Sequence, residues 1–187
     1  TINNKNFIKT MSNIGKEKIY IPKDVEYTYK KNETDISLNV KGQFGELNLS
    51  LPKGTSIVKE ENTIKISAEN KKLHGVTRTQ VLNAFLGVSK GFHQSLNIIG
   101  VGYRVSLEDE NTLRLKIGFS HDVVFSLPPG IKVICPKPDS IVLFGIKKDY
   151  LLKTAASIKN LKRPDAYKGK GIRFENEILR LKEGKKK

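Results

Sequence analysis

Apolar and polar residues alternate along most of the first half of the chain. The apolar positions of this alternation are Ile19, Ile21, Val25, Tyr27, Tyr29, Ile36, Leu38, Val40, Leu47, Leu49, Leu51, Ile57, Ile64 and Ile66. A period of two places alternate side chains against a core and toward water. We therefore predict half-buried antiparallel strands separated by turns near residues 31–34, 52–54 and 60–62.

The pattern changes to helical spacing after residue 70. Apolar side chains then recur at Leu73, Val76, Val81, Leu82, Phe85, Leu86 and Val88. Gly91 is well placed to end this helix, because glycine readily adopts the backbone conformation that follows a last turn. We predict that Leu82, Phe85 and Leu86 face the sheet, because that side of the helix is the most continuously apolar.

The second half of the chain repeats the order of the first. Leu51-Pro52-Lys53-Gly54 corresponds to Leu127-Pro128-Pro129-Gly130 at a spacing of 76 residues, and Ile64 corresponds to Ile141 at a spacing of 77. A second helical pattern follows, with apolar residues at Leu151, Leu152, Ala155, Ile158 and Leu161. Two stretches that merely share a common turn would also give this spacing, but the matching order of strands, turn and helix favours an internal duplication.

These patterns together predict an α+β fold of two tandem similar domains, each a small antiparallel β-sheet covered by one α-helix. In the second helix we expect Leu151, Ala155 and Ile158 to face the sheet. We divide the chain into an N-terminal extension at 1–10, a first α+β domain at 11–91, a second α+β domain with a basic loop at 92–176, and a basic C-terminal tail at 177–187.

Positive charge is concentrated at the C-terminal end of the chain. The 187 residues carry a net charge of +15, of which residues 1–91 contribute +6, residues 92–146 contribute 0 and residues 147–187 contribute +9. An excess of this size favours a polyanionic partner. Nucleic acid fits better than a membrane surface, because the sequence shows neither a long apolar span nor a basic amphipathic helix with an aromatic face.

A basic stretch set between glycines and aromatic residues runs from residue 162 to residue 173 and reads Lys-Arg-Pro-Asp-Ala-Tyr-Lys-Gly-Lys-Gly-Ile-Arg. Pro164 should end the preceding helix, because proline disfavours helical backbone at the residue before it. Gly169 and Gly171 would leave room for backbone N–H groups to approach a phosphate, while the neighbouring lysines supply charge. Tyr167 and Phe174 offer rings for stacking on RNA. A solvated basic turn is the alternative that composition leaves open.

The sequence contains only partial matches to catalytic and cofactor-binding motifs. Gly169-Lys170 is not a phosphate-binding P-loop, because Gly171 follows the lysine where Ser or Thr is required. The run 100–102 is not a dinucleotide-binding fingerprint, because Val105 stands in place of the third glycine. We interpret these glycines as a bulge that enters the second sheet, with direct RNA contact by Arg104 as the alternative.

The histidines and the cysteine also form no reactive set in the sequence. His74, His93 and His121 lack metal-ligand spacing, so hydrogen-bonded or surface histidines are expected. Cys135 stands alone, which excludes an internal disulfide and a multi-cysteine zinc site. The sequence therefore predicts no enzyme activity, no cofactor and no metal. His121 is a candidate for RNA contact, because it lies in a predicted strand-to-strand turn.

Four motifs occur in the order typical of one family. They are Gly91-Phe92, Val101-Gly102-Tyr103-Arg104, Gly118-Phe119-Ser120-His121 and the nonapeptide Pro164-Asp165-Ala166-Tyr167-Lys168-Gly169-Lys170-Gly171-Ile172. From about Met11 to Lys187 the chain resembles the bacterial-type large-subunit ribosomal proteins numbered six, and the nonapeptide is the most specific match. Ala166 stands where a second proline is common, and Asp122 where a proline often follows the histidine.

The resemblance implies a structural constituent of the large ribosomal subunit that binds large-subunit rRNA, mainly through its second domain. It also implies a place near the stalk base, beside neighbouring ribosomal proteins and close to where translational GTPases dock. The rRNA-binding residues would be Lys162, Arg163, Tyr167, Lys168, Gly169, Lys170, Gly171, Arg173, His121, Lys185, Lys186 and Lys187. A free-standing RNA-binding or anionic-membrane adaptor is the alternative function.

The N-terminus and several motifs bear on the compartment. Residues 1–10 lack an initiating methionine, whereas the sequence from Met11 resembles the usual start of the family, so we expect processing, with a short extension that fits an organellar product. His74-Gly75, Arg78-Thr79 and the run 88–92 resemble cyanobacterial and plastid members most closely. We therefore expect a chloroplast (plastid) ribosome rather than a bacterial cytoplasmic or mitochondrial one.

Overall fold

The computed structural model describes residues 15, 17–31, 36–60 and 62–184. The chain separates into two compact units, Thr1–Gly91 and Phe92–Lys187. Throughout the described residues the fold is α+β, with small antiparallel sheets and one long helix in each unit, as the hydrophobic pattern predicted.

The first unit contains six strands followed by a helix. Its elements are β1 (Ile19–Tyr20), β2 (Glu26–Lys31), β3 (Ile36–Gly42), β4 (Gly45–Leu51), β5 (Thr55–Glu60), β6 (Thr63–Ala68) and α1 (Lys71–Ser89). The strands form two three-stranded sheets, in the orders β1-β6-β5 and β2-β3-β4, and every recorded pairing is antiparallel.

The second unit repeats this arrangement and adds one strand. Its elements are β7 (Phe92–Ile99), β8 (Arg104–Asp109), β9 (Thr112–Lys116), β10 (Val123–Ser126), β11 (Ile131–Lys137), β12 (Ser140–Gly145), α2 (Lys148–Leu161) and β13 (Gly171–Phe174). The sheets have the strand orders β10-β9-β8 and β11-β12-β7-β13.

The strand orders confirm the predicted duplication. Strands β1-β6-β5 of the first unit match β7-β12-β11 of the second, and β2-β3-β4 match β8-β9-β10. The turn at 52–54 joins β4 to β5, and the turn at 128–130 joins β10 to β11, which is the same place in each unit. Both turns end on a glycine with positive φ, +80° at Gly54 and +85° at Gly130. Strand β13 has no counterpart in the first unit.

The buried face of α2 agrees with the prediction, whereas that of α1 is rotated from it. In α2, Leu151, Ala155 and Ile158 are buried, although Leu152 is exposed. In α1 only Phe85 of the predicted three is buried, and Leu82 and Leu86 are half-buried. The residues buried along α1 are His74, Thr77, Val81, Ala84, Phe85, Gly87 and Val88. Polar and small residues occupy much of this face. The hydrophobic pattern, which follows large apolar side chains, therefore predicted a buried face centred on the leucines instead.

Two glycine-containing turns position the loops of the second unit. Between β7 and β8 the Tyr103 N–H donates to the Gly100 carbonyl at 3.2 Å, and Gly102 has a φ of +77°. The residues expected to form a bulge therefore form a tight turn. The Tyr103 ring packs so closely that a Cβ built on Gly100 or Gly118 would lie within 2.7 Å of it. This contact explains why the tyrosine and these glycines occur together.

Candidate nucleic-acid interface

The segment 162–171, here called the basic loop, connects α2 to β13. Helix α2 ends at Leu161, and Lys162 has extended backbone, so the helix stops before Pro164 as the sequence predicted. The Ile172 N–H donates to the Lys162 carbonyl at 2.8 Å, and β13 pairs antiparallel with β7, so that Gly171 lies opposite Ile99. Both ends of the loop are therefore anchored to regular structure.

Asp165 organises the interior of the basic loop. Its N–H donates to the Lys170 carbonyl at 2.9 Å, and its own carbonyl accepts the Gly169 N–H at 3.0 Å. Its carboxylate Oδ2 accepts the Lys168 N–H at 3.0 Å. This hydrogen bond is the main reason that the pKa of Asp165 is lowered. The amides of Lys168 and Gly169 thus close the loop on itself, whereas the sequence suggested that they would be free to meet a phosphate.

The two glycines of the basic loop both have positive φ. Gly171 has a φ of +145°, and a Cβ built on it would lie 2.7 Å from the Arg163 carbonyl oxygen. Gly169 is buried and has a φ of +66°, and a Cβ built there would lie 3.5 Å from Cδ2 of Leu181. Glycine is the residue that takes positive φ without strain, so both positions favour it for conformational reasons.

Cationic side chains project outward from this closed frame. Arg163, Lys168 and Lys170 are exposed, and so is the ring of Tyr167. Arg163 donates from Nε to the side-chain oxygen of Asn160 at 3.0 Å, which directs it along the end of α2. The loop therefore presents cations from a hydrogen-bonded backbone, an arrangement that suits contact with phosphate groups.

Arg173 and Phe174 differ from these exposed residues. Both are half-buried in β13. The Nε of Arg173 is enclosed without a hydrogen-bond partner among the described residues. The Phe174 ring, expected to be available for stacking, has the Lys159 ammonium 4.9 Å from its centroid. Tyr167 is the more accessible of the two rings that the sequence suggested.

Residues 175–184, here called the C-terminal strap, lie along the basic loop. The Lys182 N–H donates to the Ala166 carbonyl at 2.8 Å. Nearer its start, Glu177 pairs with Lys159 of α2 and accepts the Phe174 N–H at 3.2 Å. The Lys159 hydrogen bond is the main cause of the lowered pKa of Glu177. The described part of the tail is therefore bonded to both α2 and the loop.

His121 lies in the exposed turn between β9 and β10. Its ring is nearly parallel to that of Phe119, with a 14° angle between planes and 6.0 Å between centroids. The ammonium of Lys162, the first residue of the basic loop, lies 4.5 Å from the Phe119 centroid. The structure thus brings His121 and the start of the basic loop together through Phe119, although the two motifs are about forty residues apart in the chain.

Three of the predicted contact residues, Lys185, Lys186 and Lys187, lie outside the described residues. Within the part of the chain that the structure covers, no group of His, Cys, Asp or Glu side chains is arranged to hold a metal ion. None of the helices described is long and apolar enough to cross a membrane. Cys135 is half-buried in β11, where burial raises the pKa of its thiol.

Sequence reasoning missed three residues that shape this surface. Asp165 and Glu177 are acids in a basic region, and an argument from charge passes over both. Phe119 was noticed only as part of a motif that contains His121. The available signal was an aromatic ring and a histidine two positions apart in a turn, but the sequence could not show that Lys162 lies against that ring.

The chain is similar to known proteins. Residues 99–175 match the family described as Ribosomal protein L6. Proteins named Large ribosomal subunit protein uL6 are similar over most of the chain. The one from Methylocella silvestris is 38% identical over 95% of this chain and 100% of its own length. The one from Synechococcus sp. is 42% identical over 94% of this chain and 97% of its own length. The one from Beijerinckia indica is also 42% identical, over 95% of this chain and 100% of its own length. The chain therefore belongs to the uL6 family of large-subunit ribosomal proteins, which are structural and not enzymatic.

Proposed function

We propose that this protein is a structural constituent of the large ribosomal subunit and that it binds large-subunit rRNA mainly through its second unit. The observation that carries the proposal is the basic loop, in which Arg163, Lys168 and Lys170 project into solvent from a backbone closed by Asp165. The backbone that carries these cations needs little further ordering when they meet a phosphate, so less conformational entropy is lost on binding.

The distribution of charge supports the same surface. Residues 147–187 carry +9 of the total of +15, whereas residues 92–146 are neutral. Within this basic end, Asp165 and Glu177 are engaged in hydrogen bonds that hold the loop and the strap. Several of the lysines and arginines in this segment are exposed, including Arg163, Lys168 and Lys170, which suits a polyanion.

Co-sedimentation tests the ribosomal role. The purified chain should pellet with large subunits that lack it, through a cushion at physiological salt, and it should not pellet with small subunits. A free-standing RNA-binding adaptor would pellet with both subunits, because contacts with phosphates alone do not distinguish one RNA from another, and an anionic-membrane adaptor would pellet with neither. Equal pelleting with the two subunits, or pelleting with neither, would overturn the proposal.

The position within the subunit is a finer part of the proposal. We propose a place near the stalk base and near the docking region of translational GTPases, beside neighbouring ribosomal proteins. Its support is the family resemblance of the ordered motifs, above all the nonapeptide 164–172. Large subunits reconstituted without the protein should stimulate GTP hydrolysis by a translational GTPase less than complete subunits do, and equal stimulation would argue against this position.

The compartment is a separate proposal, and we propose a plastid ribosome. Its support is the sequence alone, in His74-Gly75, Arg78-Thr79 and the run 88–92, whereas the relatives compared above are from bacteria. Fractionation of the source cells, with detection of this protein by mass spectrometry, tests it. Recovery with the ribosomes of isolated plastids is expected, and recovery with any other ribosome population would contradict it.

A further inference from the structure

The turn between β9 and β10 carries an exposed aromatic pair that the cationic loop alone does not explain. The Phe119 side chain is 42% exposed, and His121 beside it is also exposed. Their rings are nearly parallel, with a 14° angle between planes. Two parallel ring faces at the tip of a turn contribute nothing to a buried core, but they form a surface on which another flat ring can stack.

Lys162 connects this aromatic pair to the basic loop. Its ammonium lies 4.5 Å from the centroid of Phe119, a distance typical of a cation–π contact. Its carbonyl accepts the Ile172 N–H, so the same residue also anchors the basic loop. The rings therefore lie against the first residue of the basic loop.

The backbone beneath the rings is firmly positioned. Gly118 precedes Phe119, has a φ of +76° and lies against Tyr103, whose ring would be 2.7 Å from a Cβ at that position. The tyrosine thereby fixes the start of the turn, so the aromatic pair is carried on an ordered support. Ordered rings lose little conformational entropy on stacking.

We propose that Phe119, His121 and Lys162 form a subsite for one unpaired nucleobase of the bound RNA. The base stacks on the ring surface of the turn, while Lys162 and the basic loop hold the adjoining phosphates. Proteins commonly recognise unstacked bases on aromatic rings beside cations. This inference rests on the RNA binding proposed above. It adds a contact with a nucleobase to the phosphate contacts proposed for the basic loop.

The test compares two substitutions at Phe119 in the full chain, with deproteinised large-subunit rRNA as the probe. Phe119→Leu keeps an apolar side chain but removes the ring, and Phe119→Tyr keeps the ring. Stacking contributes about 1–3 kcal/mol per base, so Phe119→Leu should weaken binding by about 5-fold to 150-fold. Phe119→Tyr should bind within about twofold of the unsubstituted chain. The slope of log affinity against log salt should be the same for all three, because no charge is removed.

A crosslinking measurement identifies what contacts the ring. Short-wavelength ultraviolet light joins stacked bases directly to aromatic side chains, so a nucleotide adduct is expected on the tryptic peptide 117–132, which contains both rings. The adduct should remain in Phe119→Tyr and be lost in Phe119→Leu. Thermal unfolding of each variant checks that the turn is intact.

The outcomes separate this inference from the proposed function. In one outcome the chain binds rRNA and Lys168→Ala weakens that binding, but Phe119→Leu binds normally and peptide 117–132 carries no nucleotide. The subsite is then wrong and the proposed function stands. The same result would follow if the rings packed against a neighbouring protein. If the unsubstituted chain does not prefer large-subunit rRNA to small-subunit rRNA, both proposals are overturned.

Discussion

The ammonium of Lys159 in α2 and the carboxylate of Glu177 in the C-terminal strap form a two-point ion pair, with Nζ 2.6 Å from Oε1 and 2.7 Å from Oε2. Both side chains are about one quarter exposed, at 23% and 24%. The same carboxylate accepts the Phe174 N–H. An acidic residue thus holds the strap to the helix from which the basic loop emerges.

Glu177→Gln tests whether the strap supports RNA binding. The substitution raises the net charge by one, which by simple electrostatics should strengthen binding to RNA. We expect the opposite, a several-fold weaker affinity, because loss of the ion pair loosens the strap that packs on the loop. The free energy of unfolding of the second unit should fall by about 1 kcal/mol. Filter binding to large-subunit rRNA and denaturant unfolding measure the two effects.

Glu175→Gln is the matched control for this experiment. It makes the same change in charge on an exposed side chain two residues away. The backbone N–H of Glu175 donates to the Ser95 carbonyl at 3.2 Å, and the substitution leaves this bond in place. Its affinity for RNA should equal or slightly exceed that of the unsubstituted chain. Tighter binding by both variants would show that the strap has no role beyond its charge.

The pKa of Asp165 gives a prediction for the acidic pH range. Because the folded pKa is lowered below the ordinary value of 3.8, the carboxylate stabilises the loop at pH values above the unfolded pKa. That stabilisation is lost as the pH falls through the folded pKa. The amide proton of Lys168, which donates to Asp165, should therefore titrate in NMR spectra with a midpoint below 3.8.

Asp165→Asn checks the assignment of this titration. The asparagine oxygen still accepts a hydrogen bond but does not ionise. The chemical shift of the Lys168 amide proton at neutral pH should therefore be close to that of the unsubstituted chain, and it should not change as the pH falls into the acidic range. A midpoint at or above 3.8 in the unsubstituted chain would mean that the hydrogen bond does not form in solution.

Gly171 should be much less tolerant of alanine than Gly130. Both have positive φ, but a Cβ at Gly171 would meet the Arg163 backbone at 2.7 Å, whereas one at Gly130 would meet nothing within 4 Å. Gly130→Ala should lower the free energy of unfolding by about 1–2 kcal/mol from backbone strain alone. Gly171→Ala should lower it by about 1–3 kcal/mol more, because the backbone must move. Denaturant unfolding measures both, and equal losses would contradict the described path of the loop.

The parts of the fold that sequence predicted are those that depend on regular periodicity. The alternation of apolar residues indicated the strands, and the spacing between Pro52 and Pro128 indicated the duplication. The face of α1 was predicted less well, because His74 is buried there as a polar residue. Its Nε2 lies 2.8 Å from the Ile66 carbonyl oxygen, a contact with another element that no pattern within the helix reveals.

The interior of the candidate site could not be predicted for a similar reason. The sequence marked Lys168 and Lys170 by their charge, but the role of Asp165 depends on how the loop closes. Strand β13 is only four residues long, and its pairing with β7 joins positions more than seventy residues apart. Local patterns carry little information about contacts of that range.

The salt dependence of RNA affinity tests the central claim most directly. Each phosphate contact releases counterions, so log affinity should fall linearly with log salt, and Lys168→Ala and Lys170→Ala should each reduce the magnitude of that slope by about 1. Lys132→Ala removes the same charge from an exposed position of β11 outside the loop and should leave the slope unchanged. If the two loop variants kept both the affinity and the slope of the unsubstituted chain for large-subunit rRNA, the basic loop would be a solvated turn and not the RNA contact.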